Sequence, residues 1–377
     1  MLREVGLDNP NELLRERLEA VIPFAEKQVE RMVSQHPDCF PVFTTQGVWS
    51  CTQEARDTWC EGFFGGMMWL LYSVTGKAVW KERAEHYSRL IASRRADESM
   101  HDLGYLFLFT ALRAYELTGS EEWQAVTLEA AETLAKHYQP QGHYLCSAFG
   151  PESLLIDQMV DVGLLFYAAQ VKRDRGLFRM ARNHTSTSRR MLLRGDGSTA
   201  QEGLFDRITG EYIKPGTRQG WRADSCWARG QAWALYGFAK VYEYTRDAHD
   251  LASAELLAQY YLENAPAHGV PPNDFDEPGP RFGFETSAAA VAACGLWKLA
   301  RLTGDASRAV LYLQSALQIL DTLTSTTFLA SESEEWEGLI KHGIYHVRLG
   351  LGVDESLIFG DHFFLEAVCE ALKDETW

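Results

Sequence analysis

Along most of the chain apolar residues recur three and four positions apart, the spacing that lines one face of a helix, while strand-like alternation is sparse and short. The pattern predicts an all-α protein with helices near 11–35, 57–74, 79–95, 104–118, 122–137, 153–170, 174–191, 227–244, 249–264, 286–303, 305–323 and 357–372. Several end in one punctuation: Tyr72-Ser73-Val74-Thr75-Gly76, Tyr115-Glu116-Leu117-Thr118-Gly119 and Ala300-Arg301-Leu302-Thr303-Gly304, with Tyr242-Glu243-Tyr244-Thr245 a degenerate copy. Glycine suits the left-handed residue that closes a helix, and the short connection turns the next helix back antiparallel. Six such hairpins either stack as an open solenoid or close into an (α/α)6 barrel.

The connections separate the two. An open array has short links on both edges, whereas here the links between hairpins are long and rich in Gly, Pro and aromatic residues: 36–56, 139–152, 193–226, 265–285 and 325–356. Gathered on one end of a closed ring, such loops wall a pocket. The expectation is one (α/α)6-barrel domain over 1–377, with the stretch from Pro266 to Pro280 a loop over that pocket rather than a domain boundary.

Composition narrows the function. With 46% hydrophobic and 12% aromatic residues in 377, the chain has ample material for a core. A formal charge of −16 repels phosphate backbones and anionic lipid, which speaks against nucleic-acid and membrane partners. No window approaches the roughly 18 consecutive apolar residues of a membrane span. The N-terminal stretch from Met1 to Glu19 is charged and lacks the apolar centre of a secretory signal, so the expected location is cytoplasmic. Cys39, Cys51, Cys60, Cys146, Cys226, Cys294 and Cys369 show no paired spacing and read as buried thiols in a reducing compartment.

No metal motif is present: HExxH is absent, and His342 with His346 flanks a non-helical segment. Gly62, Gly65 and Gly66 fit close helix packing better than a phosphate loop. What remains is carboxylates in apolar company. Asp157 lies in an otherwise apolar helical turn among Leu154, Leu155, Ile156 and Met159, where burial raises a carboxyl pKa and makes a general acid; the plainer alternative is an ion pair or a cap. Asp102 starts the helix of His101-Asp102-Leu103-Gly104-Tyr105, where it is either an N-cap or part of the chemistry. Between Lys214 and Trp233, Lys214, Arg218, Arg222 and Arg229 oppose only Asp224, a positive patch suited to a carboxylate-bearing ligand. Trp221, Trp227 and Trp233 interleave with it, as sugar-stacking faces or, for Trp233 in particular, as core.

Seven segments, in order and spacing, resemble glycoside hydrolase family 88, the unsaturated glucuronyl hydrolases, related to the unsaturated rhamnogalacturonyl hydrolases of family 105. They are Trp59-Cys60-Glu61-Gly62-Phe63-Phe64-Gly65-Gly66, His101-Asp102-Leu103-Gly104-Tyr105, Leu155-Ile156-Asp157-Gln158-Met159, Arg194-Gly195-Asp196-Gly197-Ser198, Trp227-Ala228-Arg229-Gly230-Gln231-Ala232-Trp233, Tyr345-His346-Val347-Arg348 and Phe359-Gly360-Asp361-His362-Phe363-Phe364-Leu365-Glu366-Ala367. The resemblance implies an (α/α)6 barrel without metal or other cofactor. The implied substrate is a small acidic oligosaccharide, made by a polysaccharide lyase, whose non-reducing end is a 4,5-unsaturated uronic acid. The implied reaction hydrates that double bond: a protonated Asp donates to C4, water adds at C5, and the hemiketal opens and expels the remaining sugar.

By position Asp157 matches the family's acid and base and Asp102 the second carboxylate. Trp59, Gln219, Trp227, Arg229, Trp233 and Tyr345 match positions that line its sugar site, and Arg218 is a further candidate for the carboxylate clamp. Gln201 stands where glycosaminoglycan-acting members commonly have His, Glu61 where Asp is usual, and His362-Phe363 in place of two tyrosines. Alternatives kept open are a family-105-like unsaturated galacturonyl or rhamnogalacturonyl hydrolase, and a sugar epimerase or inverting glycosidase on the same barrel. An epimerase calls for a paired His acid and base, and no such pair is visible in the sequence. The assembly expected is a monomer or homodimer.

Overall fold

The computed structural model describes residues 10–51, 55–375 and 377, so the first nine residues of the charged N-terminal stretch lie outside it. Its helices are α1 (Pro10–Gln35), α2 (Glu61–Thr75), α3 (Ala78–Ile91), α4 (Leu103–Phe107), α5 (Ala111–Thr118), α6 (Glu121–Ala135), α7 (Gln158–Lys172), α8 (Arg175–Leu192), α9 (Ala228–Thr245), α10 (Ala248–Asn264), α11 (Thr286–Leu302), α12 (Ala306–Leu323) and α13 (Ile358–Lys373). The segment expected as one helix over 104–118 breaks into α4 and α5 at Thr110, whose backbone leaves the helical region.

Helices α2, α4, α7, α9, α11 and α13 pack side by side in that order, and α13 returns to α2. That closure makes the chain an (α/α)6 barrel and excludes the open array. Outside each inner helix lies a partner from α3, α6, α8, α10 and α12, and α1 packs on α13, so the two ends of the described chain complete the sixth pair. The division follows from composition. Inner α11 is buried without interruption from Thr286 to Trp297, whereas outer α8 buries only a stripe including Leu177, Ala181, Thr185 and Ser188.

The predicted punctuation holds at Gly76 and Gly119, which close α2 and α5 at φ 65° and 71°. At Thr303 the backbone is extended instead, and Arg173 and Arg246 take the left-handed position after α7 and α9. Gly62 packs as expected: a Cβ there would lie 2.2 Å from the Tyr105 carbonyl oxygen, so α2 and α4 approach this closely only with glycine.

The long connections lie together at one end and carry, among the described residues, nine short strands: β1 (Thr44–Thr45), β2 (Val48–Trp49), β3 (Tyr138–Gln139), β4 (Tyr144–Leu145), β5 (Ser153–Leu155), β6 (Glu202–Phe205), β7 (Tyr212–Gly216), β8 (Gly343–His346) and β9 (Leu351–Glu355). Strands β5, β6 and β7 form an antiparallel sheet in which Leu155 faces Glu202 and Glu202 faces Gly216. This corrects the reading of 153–170 as helix throughout. A three-residue apolar run suits a buried strand as well as a helix turn, and here it pairs with β6.

Two further expectations are corrected. Cys39 and Cys51 form a disulfide, so they are not the buried thiols predicted, while Cys60, Cys226, Cys294 and Cys369 are. The 265–285 loop does not roof the pocket. It braces the neighbouring loop from behind, where the Asp274 carboxylate accepts from the Trp221 N–H at 2.8 Å and the Ser225 hydroxyl at 2.7 Å. No helix among the described residues is long and apolar enough to cross a membrane.

Candidate active site

A cavity of about 310 Å³ opens among these loops. Its walls include Trp59, Asp102, Asp157, Gln201, Arg218, Gln219 and Tyr345 from the sequence prediction, and His101, Tyr105, Phe149, Leu155, His346, Leu349 and Leu351, which it did not single out as site residues. Three of the five long loops contribute, the turn before α2 adds Trp59, and the α3–α4 link supplies His101 and Asp102.

Asp157 sits in the turn between β5 and α7. Ile156 donates its N–H to the Gln201 carbonyl at 2.9 Å, and the Tyr105 hydroxyl donates to the Asp157 carbonyl at 3.0 Å, so the turn is held from both sides. The carboxyl caps no helix, and its Oδ2 is buried without a hydrogen-bond partner. Burial pushes its pKa up to about 7, opposed by the charge of Arg229 and reinforced by that of Asp102. The geometry therefore matches neither the ion pair nor the cap, and a carboxyl that keeps its proton near neutrality can give it away.

Asp102 occupies the position before α4 but makes no capping bond. The cap comes from Asp161 in the first turn of α7, whose Oδ1 accepts from the N–H groups of Gly104 at 2.8 Å and Tyr105 at 3.3 Å. Gly104 permits this, since a Cβ there would lie 2.6 Å from that oxygen. Released from the cap, the Asp102 carboxyl faces the cavity within hydrogen-bonding reach of that of Asp161; burial lifts its pKa to about 7. His101 Nε2 lies 3.4 Å from Asp102 Oδ1, but burial, helped by the Arg218 charge, holds the imidazole down at about 4, so it is neutral beside the acids.

Asp161 was not legible as a site residue. An acid in the first turn of a helix is ordinary there, and only its spacing of four from Asp157 hints that both share a face.

The far wall is a hydrogen-bond lattice. Gln201 Oε1 accepts from the Thr217 hydroxyl at 2.7 Å and the N–H groups of Arg218 at 2.8 Å and Gln219 at 2.9 Å, while its Nε2 donates to Gln219 Oε1 at 2.9 Å. Every strong hydrogen-bonding direction of this amide oxygen is used, so Gln201 shapes the loop. Gln219 Nε2 donates onward to the Tyr345 carbonyl at 3.0 Å. Arg218 lies 3.6 Å over the Phe149 ring and pairs with Glu202 at 2.7 Å, with about a third of its side chain still exposed. The Trp59 indole donates to the Tyr345 hydroxyl at 3.2 Å.

Three expected sugar contacts do not line the cavity. Trp227, Arg229 and Trp233 are buried behind it. The Arg229 guanidinium lies over the rings of Trp227 and Phe359, donates to the carbonyls of Ile344 and Tyr345, and lies 3.7 Å from Glu285. Trp233 wedges between Tyr105 and Phe363. Arg222 covers Trp221 and pairs with Asp224 away from the cavity, and Lys214 lies on β7 outside it. Asp361 accepts from the N–H groups of Leu339 and Ile340 and so anchors the loop that carries Tyr345.

No histidine pair is visible in the sequence, and the fold brings His101 and His346 to the lining of one cavity. His342 and His346 do not act together: His342 bonds Asp354 at 2.6 Å. Among the described residues no three His, Cys, Asp or Glu side chains are grouped to hold a metal ion.

The family model described as Glycosyl Hydrolase Family 88 matches residues 25–264. The chain is 32% identical over 324 residues to the unsaturated glucuronyl hydrolase of Bacillus sp. (strain GL1), covering 82% of this chain and 85% of that one. It is 28% identical over 373 residues to the unsaturated chondroitin disaccharide hydrolase of Streptococcus pyogenes serotype M1, covering 96% and 93%. The crystal structure of the unsaturated glucuronyl hydrolase from Bacillus sp. GL1, responsible for the degradation of glycosaminoglycan, superposes with a TM-score of 0.87 at 29% identity, covering 93% of this chain and 96% of that one.

Proposed function

The chain belongs to glycoside hydrolase family 88, and from that premise we propose that it hydrates the C4=C5 bond of a 4,5-unsaturated uronic acid at the non-reducing end of a small oligosaccharide. The observation that carries this reading is Asp157: a sheltered carboxyl, unpartnered at one oxygen, on the wall of a cavity sized for a sugar. Its proton goes to C4 of the enol ether while a water oxygen bonds to C5. The water's surplus proton passes to the carboxylates of Asp157 and Asp102, restoring the acid. The C5 hemiketal opens to a ketone, which leaves C1 as an open-chain hemiacetal that releases the remaining sugar as an alcohol. Nothing in this sequence attacks C1, which sets it apart from an inverting glycosidase.

Arg218 is the permanent cation among the described residues lining the cavity, and it is the residue we assign to the substrate carboxylate. Lyase elimination erases the stereocentre at C4, so glucuronyl and galacturonyl precursors yield one and the same unsaturated sugar. The choice between a family-88 and a family-105 substrate therefore rests on the leaving sugar, for which exposed Phe149 and Leu349 offer apolar faces.

The test is loss of the near-ultraviolet absorbance of the conjugated double bond, with lyase products of glycosaminoglycan, pectin, ulvan, xanthan and gellan as substrates. The acid form of Asp157 starts the reaction, so the rate is full below its pKa and declines above it. kcat/KM is expected to fall about tenfold per pH unit once pH rises past about 7. A rate that stays flat from acid pH through pH 9 contradicts the assignment, as does cleavage of saturated glycosides with the unsaturated ones left intact.

A further inference from the structure

Three carboxyls, those of Asp102, Asp157 and Asp161, share one buried volume, and the reaction as described uses two. Asp161 has no exposed surface at all, while Asp102 keeps 8% and faces the cavity. Their side chains lie within hydrogen-bonding reach of each other, and two carboxyl groups bond each other only when a proton lies between them. On Asp161, Oδ1 is taken by the N–H groups of Gly104 and Tyr105, and no N–H or O–H donor reaches Oδ2.

We propose that Asp161 is a positioning residue that holds this proton and donates it to Asp102, keeping the Asp102 carboxylate ionised beside a protonated Asp157. The proposal rests on the reading of Asp157 as the acid.

The placement of charge supports it. The anion belongs on the member of the pair that touches the cavity and its water, and the neutral acid on the member that does not. The other groups facing the cluster agree with this order: His101 against Asp102 is neutral, Tyr105 keeps its proton, and Arg229 acts on Asp157 from behind. Burial and the charge of Asp102 both push the Asp161 carboxyl well above the usual range, outweighing the two amide bonds that favour its anion. An ionised Asp102 in turn raises the proton affinity of Asp157, so the three carboxyls alternate as neutral, anionic and neutral.

The test compares Asp161→Asn, which keeps the shape and can donate N–H to Asp102 but cannot ionise, with Asp161→Ala, which removes the donor. Asp161→Asn is expected to keep kcat within about threefold of the parent and the same alkaline midpoint. Asp161→Ala, if folded by thermal melting, is expected to lose about tenfold or more in kcat with KM little changed. Its alkaline midpoint should move to lower pH, because Asp102 then takes up the proton and no longer raises the pKa of Asp157. Infrared difference spectra of parent minus Asp161→Asn at neutral pH should show the C=O stretch of one protonated carboxylic acid.

Should Asp161→Asn lose kcat and shift its midpoint downward, or should that acid band be missing, Asp161 is the anion and the proposal fails. A folded Asp161→Ala with the parent pH profile overturns it equally. If Asp161→Ala does not fold, Asp161→Asn and the spectrum decide. The spectrum needs no substrate, so it tests this proton even if unsaturated uronides prove not to be consumed, an outcome that would sink the functional reading instead.

Discussion

Asp157→Asn is expected to lower kcat on an unsaturated disaccharide by about 10³-fold, within the span of 10² to 10⁴ typical of a positioned general acid. Asparagine matches aspartate in shape but has no proton acidic enough to deliver to an enol-ether carbon. The fold should not suffer. The Asp157 side chain caps no helix, its Oδ2 has no partner, and its burial beside Asp102 opposes ionisation. The variant should therefore melt at or above the temperature of the parent, because removing a strained buried acid relieves the site at the expense of activity. KM should change little, since the group acts on the transition state. Full activity in Asp157→Asn, or a loss of activity matched by a loss of folded protein, would contradict the assignment.

Arg229→Met is expected to destabilise the fold by about 3–5 kcal/mol, the cost of leaving one member of a buried ion pair alone. Arg229 is 1% exposed and Glu285, which caps α11 through the Ala288 N–H at 2.7 Å, is fully buried. Methionine would fill part of the space over Trp227 but would leave that carboxylate without its cation and the Ile344 carbonyl without its donor, while the Tyr345 carbonyl would keep only Gln219. The effect reaches the site by two routes. Strand β8 loses one of the ties that hold Tyr345, and Asp157 loses the cation that opposes its high pKa. Denaturant unfolding measures the cost, and Glu285→Gln added to Arg229→Met should recover part of it. An unchanged unfolding midpoint in the single variant would show that Arg229 is not the internal strut described here.

The ring of helices was legible because the helices carry long period-3.6 patterns, several of them with a stop signal, and long patterns survive local ambiguity. Strand β5 was not, because Ser153-Leu154-Leu155 is too short for period to discriminate and its partner Glu202–Phe205 is remote in sequence. The same distance hid that His101 and His346 line one cavity. Asp157 and Asp102 stood out as acids in apolar company. Their neighbour Asp161 passed for an ordinary first-turn acid, and only the approach of α4 through Gly104 reveals its role.

The positive patch was visible as composition, but composition does not say which way a side chain points. Arg218 turns toward the cavity, Arg222 toward Trp221 and Asp224, and Arg229 inward to Glu285. Cys39 and Cys51 carried no signal because their spacing fits no motif. Their pairing depends on how the loop from α1 to α2 folds back.

The most direct measurement is the fate of solvent hydrogen. With an unsaturated disaccharide in D2O, an acid at position 157 that has exchanged with solvent should deliver one deuterium to a single face of C4 as the leaving sugar is released. Product freed at once with its double bond intact, or with deuterium scattered over both faces of C4, would mean that cleavage begins at C1 and that Asp157 does not protonate the alkene.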